Sequence, residues 1–166
     1  MSIRIQQPQQ YDLVSDTLLV AGTAGGAFEA TFNYRVSEGH DEVVGHFSAG
    51  DGVGGHGQFQ VEVDLSGAAF TLPLLTVEVF WPSPRDGDGE MDTQTVQVVH
   101  GPQVVPGYAV YQEHTVVAGD TLWGIADHYY GDGSLYHRLV TANPGTITDP
   151  DVISVGQVVR VPRTAG

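Results

Sequence analysis

Asp86-Gly87-Asp88-Gly89-Glu90-Met91-Asp92 sets alternate carboxylates along one short segment, the donor type a calcium ion needs. An EF-hand loop requires Gly at its sixth position and Glu at its twelfth, where this chain has Met91 and Gln97. No helical pattern flanks the segment, so a solvated turn between strands is expected. His40, His46 and His56 fall in one region at spacings that match no zinc signature, and His128 and His137 read as polar-face residues of helices. Gly50-Asp51-Gly52-Val53-Gly54-Gly55 satisfies G-x-G-x-x-G, but a dinucleotide loop must open a helix, and the alternating run Gln58–Asp64 follows instead. There is no cysteine, no Ser in G-x-S-x-G and no H-E-x-x-H. Carboxylates flanking a sugar would need a deep cleft that keeps one of them protonated, and small β-rich modules leave little room for that. A non-enzyme without metal or cofactor is expected.

The elements that must position these groups change character along the chain. In the first hundred residues apolar side chains recur with period two: Phe28, Ala30, Phe32, Tyr34 and Val36; Phe59, Val61 and Val63; Leu75, Val77, Val79 and Trp81. Such alternation marks half-buried antiparallel strands. With shorter candidates at Ile3–Gln6, Thr17–Ala21, Glu42–Phe47 and Thr95–Val99, about seven strands are expected, enough for a β-sandwich. Gly101–Tyr111 contains Pro102 and Pro106, has no periodicity of its own, and reads as a linker.

The last third follows a helical period. Thr115–Val117 suits a strand, and Asp120 suits a helix N-cap. Leu122, Ile125, Ala126 and Tyr129 form an amphipathic stripe that Gly131 ends. Ser134 can cap a second helix with the stripe Tyr136, Leu139, Val140 and Asn143, stopped by Pro144. Gln157–Val161 is a second β-branched run, closed by Pro162. The order is β-α-α-β. Trp123 reads as packing in a small core, which leaves Tyr130 and Tyr136 as exposed aromatic surfaces.

The series His114-Thr115-Val116-Val117-Ala118-Gly119-Asp120-Thr121-Leu122-Trp123-Gly124-Ile125-Ala126, Tyr130-Gly131-Asp132-Gly133, Ala142-Asn143-Pro144, Asp149-Pro150-Asp151-Val152-Ile153 and Gly156-Gln157-Val158-Val159-Arg160-Val161-Pro162 resembles a LysM module. The resemblance implies a βααβ domain that binds N-acetylglucosamine-containing glycan between two loops. Carried over, the site is Gly119, Asp120, Thr121 and Leu122 facing Pro150, Asp151, Val152 and Ile153. Pro8, Val20-Ala21-Gly22-Thr23-Ala24, Phe28-Glu29-Ala30, Phe80-Trp81-Pro82-Ser83-Pro84 and Arg85-Asp86-Gly87 resemble the immunoglobulin-like domain of bacterial spore germination, which implies a non-catalytic scaffold. The expected organisation is a mainly β, two-domain chain: an immunoglobulin-like sandwich at 1–100, a linker at 101–111 and an α+β LysM domain at 112–163.

Charge narrows the partners. The net charge is −14, with no lysine, and the acidity is concentrated before residue 100. Such a surface repels phosphate backbones and anionic bilayers, so neither nucleic acid nor membrane insertion is expected. The start of the chain lacks the apolar core of a signal peptide, which points to the cytoplasm, whereas the resemblances point to the cell envelope. Two functions follow as expectations. One is a module that docks on peptidoglycan or N-acetylglucosamine oligomers, with the acidic sandwich free for a protein partner. The other is a structural adapter of a phage-tail-like or contractile injection baseplate, or a cytoplasmic LysM protein that binds an ion.

Overall fold

The computed structural model describes residues 2–26, 28–82 and 89–165. Its first part holds eight strands: β1 (Ser2–Gln7), β2 (Asp12–Val14), β3 (Thr17–Gly25), β4 (Thr31–Ser37), β5 (Glu42–Ser48), β6 (His56–Asp64), β7 (Leu74–Pro82) and β8 (Glu90–His100). They form a three-stranded sheet in the order β1-β3-β6 and a five-stranded sheet in the order β2-β8-β7-β4-β5. The period-two pattern explains the layering. Ile3, Leu18, Val20, Phe59 and Val63 of the small sheet share one core with Phe32, Val36, Leu75, Val77, Val79 and Val98 of the large one. On the other face of the large sheet Arg35 pairs with Glu78 and Glu90 at 2.7 and 2.8 Å and lies over the Phe80 ring, tying β4, β7 and β8 together.

Two features differ from the sequence reading. Phe28–Ala30 is not strand but a 3-10 turn in which Glu29 and Ala30 have φ of 66° and 53°, so β4 starts at Thr31. The short strand β2 pairs in parallel with the end of β8, and its three residues were too few to show a period. Gly22 is fixed by close packing: a Cβ there would strike the Arg4 carbonyl of β1, where the register with β3 shifts.

Residues 101–111, expected as a linker, carry structure. Gly101–Val104 is one helical turn, α1, with Pro102 in its first turn, and β9 (Tyr108–Thr115) starts inside the segment. α2 (Leu122–Tyr130), a 3-10 turn at Gly133–Leu135, α3 (Tyr136–Ala142) and β10 (Val158–Thr164) complete the β-α-α-β order. The first strand is therefore Tyr108–Thr115 rather than Thr115–Val117, and Val117 is exposed. β10 runs through Pro162, which a two-stranded sheet tolerates because each strand keeps one unpaired edge. Val116, Leu122, Ile125, Ala126, Leu139, Ile147, Val159 and Val161 form the second core. Asn143, only 3 % exposed, fastens α3 to β10: its amide donates to the Leu139 and Arg160 carbonyls at 2.7 and 2.8 Å and accepts from the Arg160 N–H at 2.9 Å.

Candidate functional site

Two loops of the C-terminal domain are stitched side by side. The Val116 N–H donates to the Gln157 carbonyl and the Gly156 N–H to the Val116 carbonyl, both at 2.8 Å. Within the first loop Gly119 turns the chain at φ 91°. Asp120 is not the helix cap. Its Oδ2 accepts from the Val117 N–H at 2.9 Å and from His114 Nε2 at 2.8 Å, so the carboxylate is spent on holding the loop. Those two partners, the Val117 amide first, hold the Asp120 carboxyl below the usual carboxylate range. The N-cap is Thr121, whose Oγ1 accepts from the Gly124 N–H at 3.0 Å. The following helix start leaves the Leu122 and Trp123 N–H groups without an intrahelical partner. Ser134 does not cap the second helix either: Asp132 accepts from both its N–H and its hydroxyl, and a 3-10 turn intervenes. The second loop is held by Asp149, which accepts from the Asp151 N–H at 2.9 Å, and by Gln157, which bridges Ser154 and Thr146.

Between these loops lies a cleft of about 350 Å³ lined by Asp120, Thr121, Leu122, Trp123, Tyr136, Pro150, Asp151 and Ile153. Of the residues expected at a site, Asp120, Thr121, Leu122, Pro150, Asp151 and Ile153 meet there. Gly119 and Val152 are not among its walls, and Val152 is 64 % exposed. Trp123 was expected in the core and is 57 % exposed instead. Its indole rests on Gly133, where any Cβ would strike the ring, and it forms one wall of the cleft. The sequence carried that signal: Trp123 stands one residue off the stripe Leu122, Ile125, Ala126 and Tyr129. Tyr136, 39 % exposed, lines the cleft, whereas Tyr130 turns inward, donating its hydroxyl to the Pro162 carbonyl at 2.8 Å. Burial pushes its phenol up to about 12.

The other constellations resolve into local structure. In the Gly50–Gly55 loop Asp51 Oδ1 accepts from the Val53 and Gly55 N–H groups at 3.0 and 2.7 Å, so the loop's own carboxylate fills its nest of amides. His40 bonds Glu38 and His56 bonds Ser2, which disperses the histidine group. Asp86–Asp88 of the carboxylate-rich segment lie outside the described residues. Glu38 keeps a covered carboxylate; the cost of covering it is outweighed by bonds from His40, Asp41 and Thr71, which bring it down to about 2. Each carboxyl clearly moved from its usual value is moved down: Glu38, Asp51, Asp64, Asp120 and Asp132. A sugar-cleaving general acid needs the opposite shift.

The model of Gmad2, described as the immunoglobulin-like domain of bacterial spore germination, matches residues 2–88, and the LysM domain model matches residues 114–162. Both are non-catalytic families, and LysM domains bind N-acetylglucosamine-containing glycans. An esterase of Mycobacterium tuberculosis is 53% identical over 51 residues, which are 31% of this chain and 11% of the esterase. The potassium binding protein Kbp of Escherichia coli is 43% identical over 51 residues, 31% of this chain and 34% of that protein. An uncharacterized protein of Deinococcus radiodurans is 45% identical over 49 residues, 30% of this chain and 19% of its own length. The chain thus spans a third or less of these curated relatives, and each match has the length of one LysM domain. No solved structure matches the chain.

Proposed function

The chain belongs to the family of the Gmad2 immunoglobulin-like domain of bacterial spore germination, and on that premise we propose that it is a non-enzymatic binding protein whose LysM domain docks on peptidoglycan. The observation that carries this reading is the cleft between the two stitched loops. Six of the eight residues expected at a glycan site line it, and two exposed aromatic side chains, Trp123 and Tyr136, are added to them. Sugar rings present apolar faces and a rim of hydroxyl and acetamide groups. Such a ligand fits a shallow groove with aromatic and aliphatic walls, Trp123, Tyr136, Leu122 and Ile153, and a few polar groups from Thr121 and the loop backbone. Gly119 acts from behind the wall, giving its loop the turn that brings Asp120 and Thr121 to the cleft. The sandwich serves as a rigid support whose acidic surface is available to a protein partner.

Co-sedimentation of the full chain with purified peptidoglycan tests this. The protein is expected to bind saturably. Trp123→Ala is expected to weaken binding by about 1–3 kcal/mol, the usual worth of an aromatic stacking contact, or roughly 5- to 100-fold, with an unchanged far-UV spectrum. Ile153→Ala should weaken it by a smaller factor. Saturable binding that ignores both changes would place the contact elsewhere. No sedimentation at all would leave the LysM fold to a role in protein assembly.

A further inference from the structure

The walls of the cleft carry a charge pattern that selects among glycans. Asp120 and Asp151 both line it, and no cationic side chain does. Both hydrogen bonds to Asp120 fall on Oδ2, which leaves Oδ1 uncommitted. Asp151 is exposed, and among the described residues its carboxylate enters no ion pair. The guanidinium of Arg138, next to Tyr136 in α3, is turned onto the Tyr130 ring at 5.5 Å rather than into the cleft. Trp123 and Tyr136 add aromatic faces, which attract a cation and repel an anion.

We propose that this cleft prefers glycan containing free amino sugars, in which some acetamides have been removed to leave ammonium groups, over the fully acetylated polymer and over sugars that carry a free carboxylate. The inference rests on the glycan-docking reading and specifies its ligand. An ammonium placed between two carboxylates over an aromatic ring gains at every contact, whereas a carboxylate brought to the same place meets like charge from both sides.

The test measures affinity of the full chain by calorimetry for chitotetraose and for the same tetramer with one acetamide removed, at about 20 mM and about 500 mM salt. At low salt the amine-bearing tetramer is expected to bind roughly fivefold tighter, and the ratio should shrink at high salt. Asp151→Asn is expected to bring the ratio of the two affinities toward one. Glu62→Gln, an equal change of net charge on exposed β6, should leave the ratio as it is. Equal affinities of the unaltered chain for the two tetramers would overturn the inference while the glycan-docking reading stands. A ratio that survives Asp151→Asn would assign the preference to the overall acidity of the chain and also overturn it. Binding of neither tetramer would remove the glycan-docking reading itself.

Discussion

Trp123 and Gly133 form a unit in which a missing side chain positions a present one. The indole is supported by the bare Cα of Gly133, so its ring can be exposed and still be held in place. Gly133→Ala puts a methyl group where the ring lies and should cost about 1–3 kcal/mol of stability, as overpacking usually does. It should also weaken peptidoglycan binding, although Gly133 does not line the cleft; stability from urea melts and binding by co-sedimentation read the two effects separately. Asn143 is the opposite case, a buried polar side chain whose bonds are all made. Asn143→Leu keeps the volume but strands the Arg160 N–H and carbonyl, so a loss of about 2–4 kcal/mol is expected in denaturant unfolding. Asp120 gives a pH dependence. Its folded carboxyl titrates below the unfolded one, so its contribution to stability is complete above about pH 4 and is lost as pH falls through the folded value. Thermal midpoints should therefore fall on acidification, and Asp120→Asn should remove part of that slope; an identical slope in the variant would show that the Val117 and His114 contacts are not what holds the loop.

α2 is held at both ends by groups the sequence names but does not assign. At its start Asp120 and Thr121 are adjacent and both are good caps. The choice falls to Thr121 because His114 and the Val117 amide, brought alongside by the fold, have taken the carboxylate. At its end Gly131 caps in the left-handed region, as its residue type announces, and Tyr130 reaches across to the Pro162 carbonyl of β10. The Tyr130 phenol, pushed up to about 12 by burial, stays neutral in the folded chain beyond the point where an unfolded tyrosine ionises. Stability from this group is present below about pH 10 and is lost as pH rises through about 12. Tyr130→Phe should flatten that alkaline limb in a series of thermal melts, and an unchanged limb would count against the clamp. The strands show the same division between what was legible and what was not. The alternation of β4, β6 and β7 was plain because each has one face in the core. β9 was missed because it is exposed along most of its length, and its place is set by pairing with β10 rather than by a period of its own. Six cleft residues could be named from the motif series; the exposure of Trp123 could not, since its support is a glycine ten positions away.

The two domains meet through a small apolar seam, and this decides how the molecule presents its cleft. Leu13 of β2, Val99 of β8, Val104 and Val105 around α1, and Ala142 of α3 pack together, so the short strand and helical turn that the sequence reading passed over are what joins the halves. His100, at the junction of β8 and α1, is buried and bonds Asp16 at 2.9 Å, which anchors the turn to the sandwich. Gln103 adds a bond from α1 to the Phe70 carbonyl at 2.9 Å. Domains joined by a bare linker would move independently, the default for small interfaces. Here the connecting segment is itself part of the contact. Leu13→Asp places a carboxylate in the seam from the sandwich side, at a residue only partly buried, and both domain cores should survive it. Small-angle scattering should then show a larger radius of gyration, and proteolysis should become faster around Val105-Pro106-Gly107. Affinity for soluble N-acetylglucosamine oligomers should not change, because every residue lining the cleft belongs to the C-terminal domain. Unchanged scattering and unchanged proteolysis would mean that α1 and its bonds to the sandwich hold the domains without the seam; a fall in affinity would mean that the sandwich takes part in shaping the cleft.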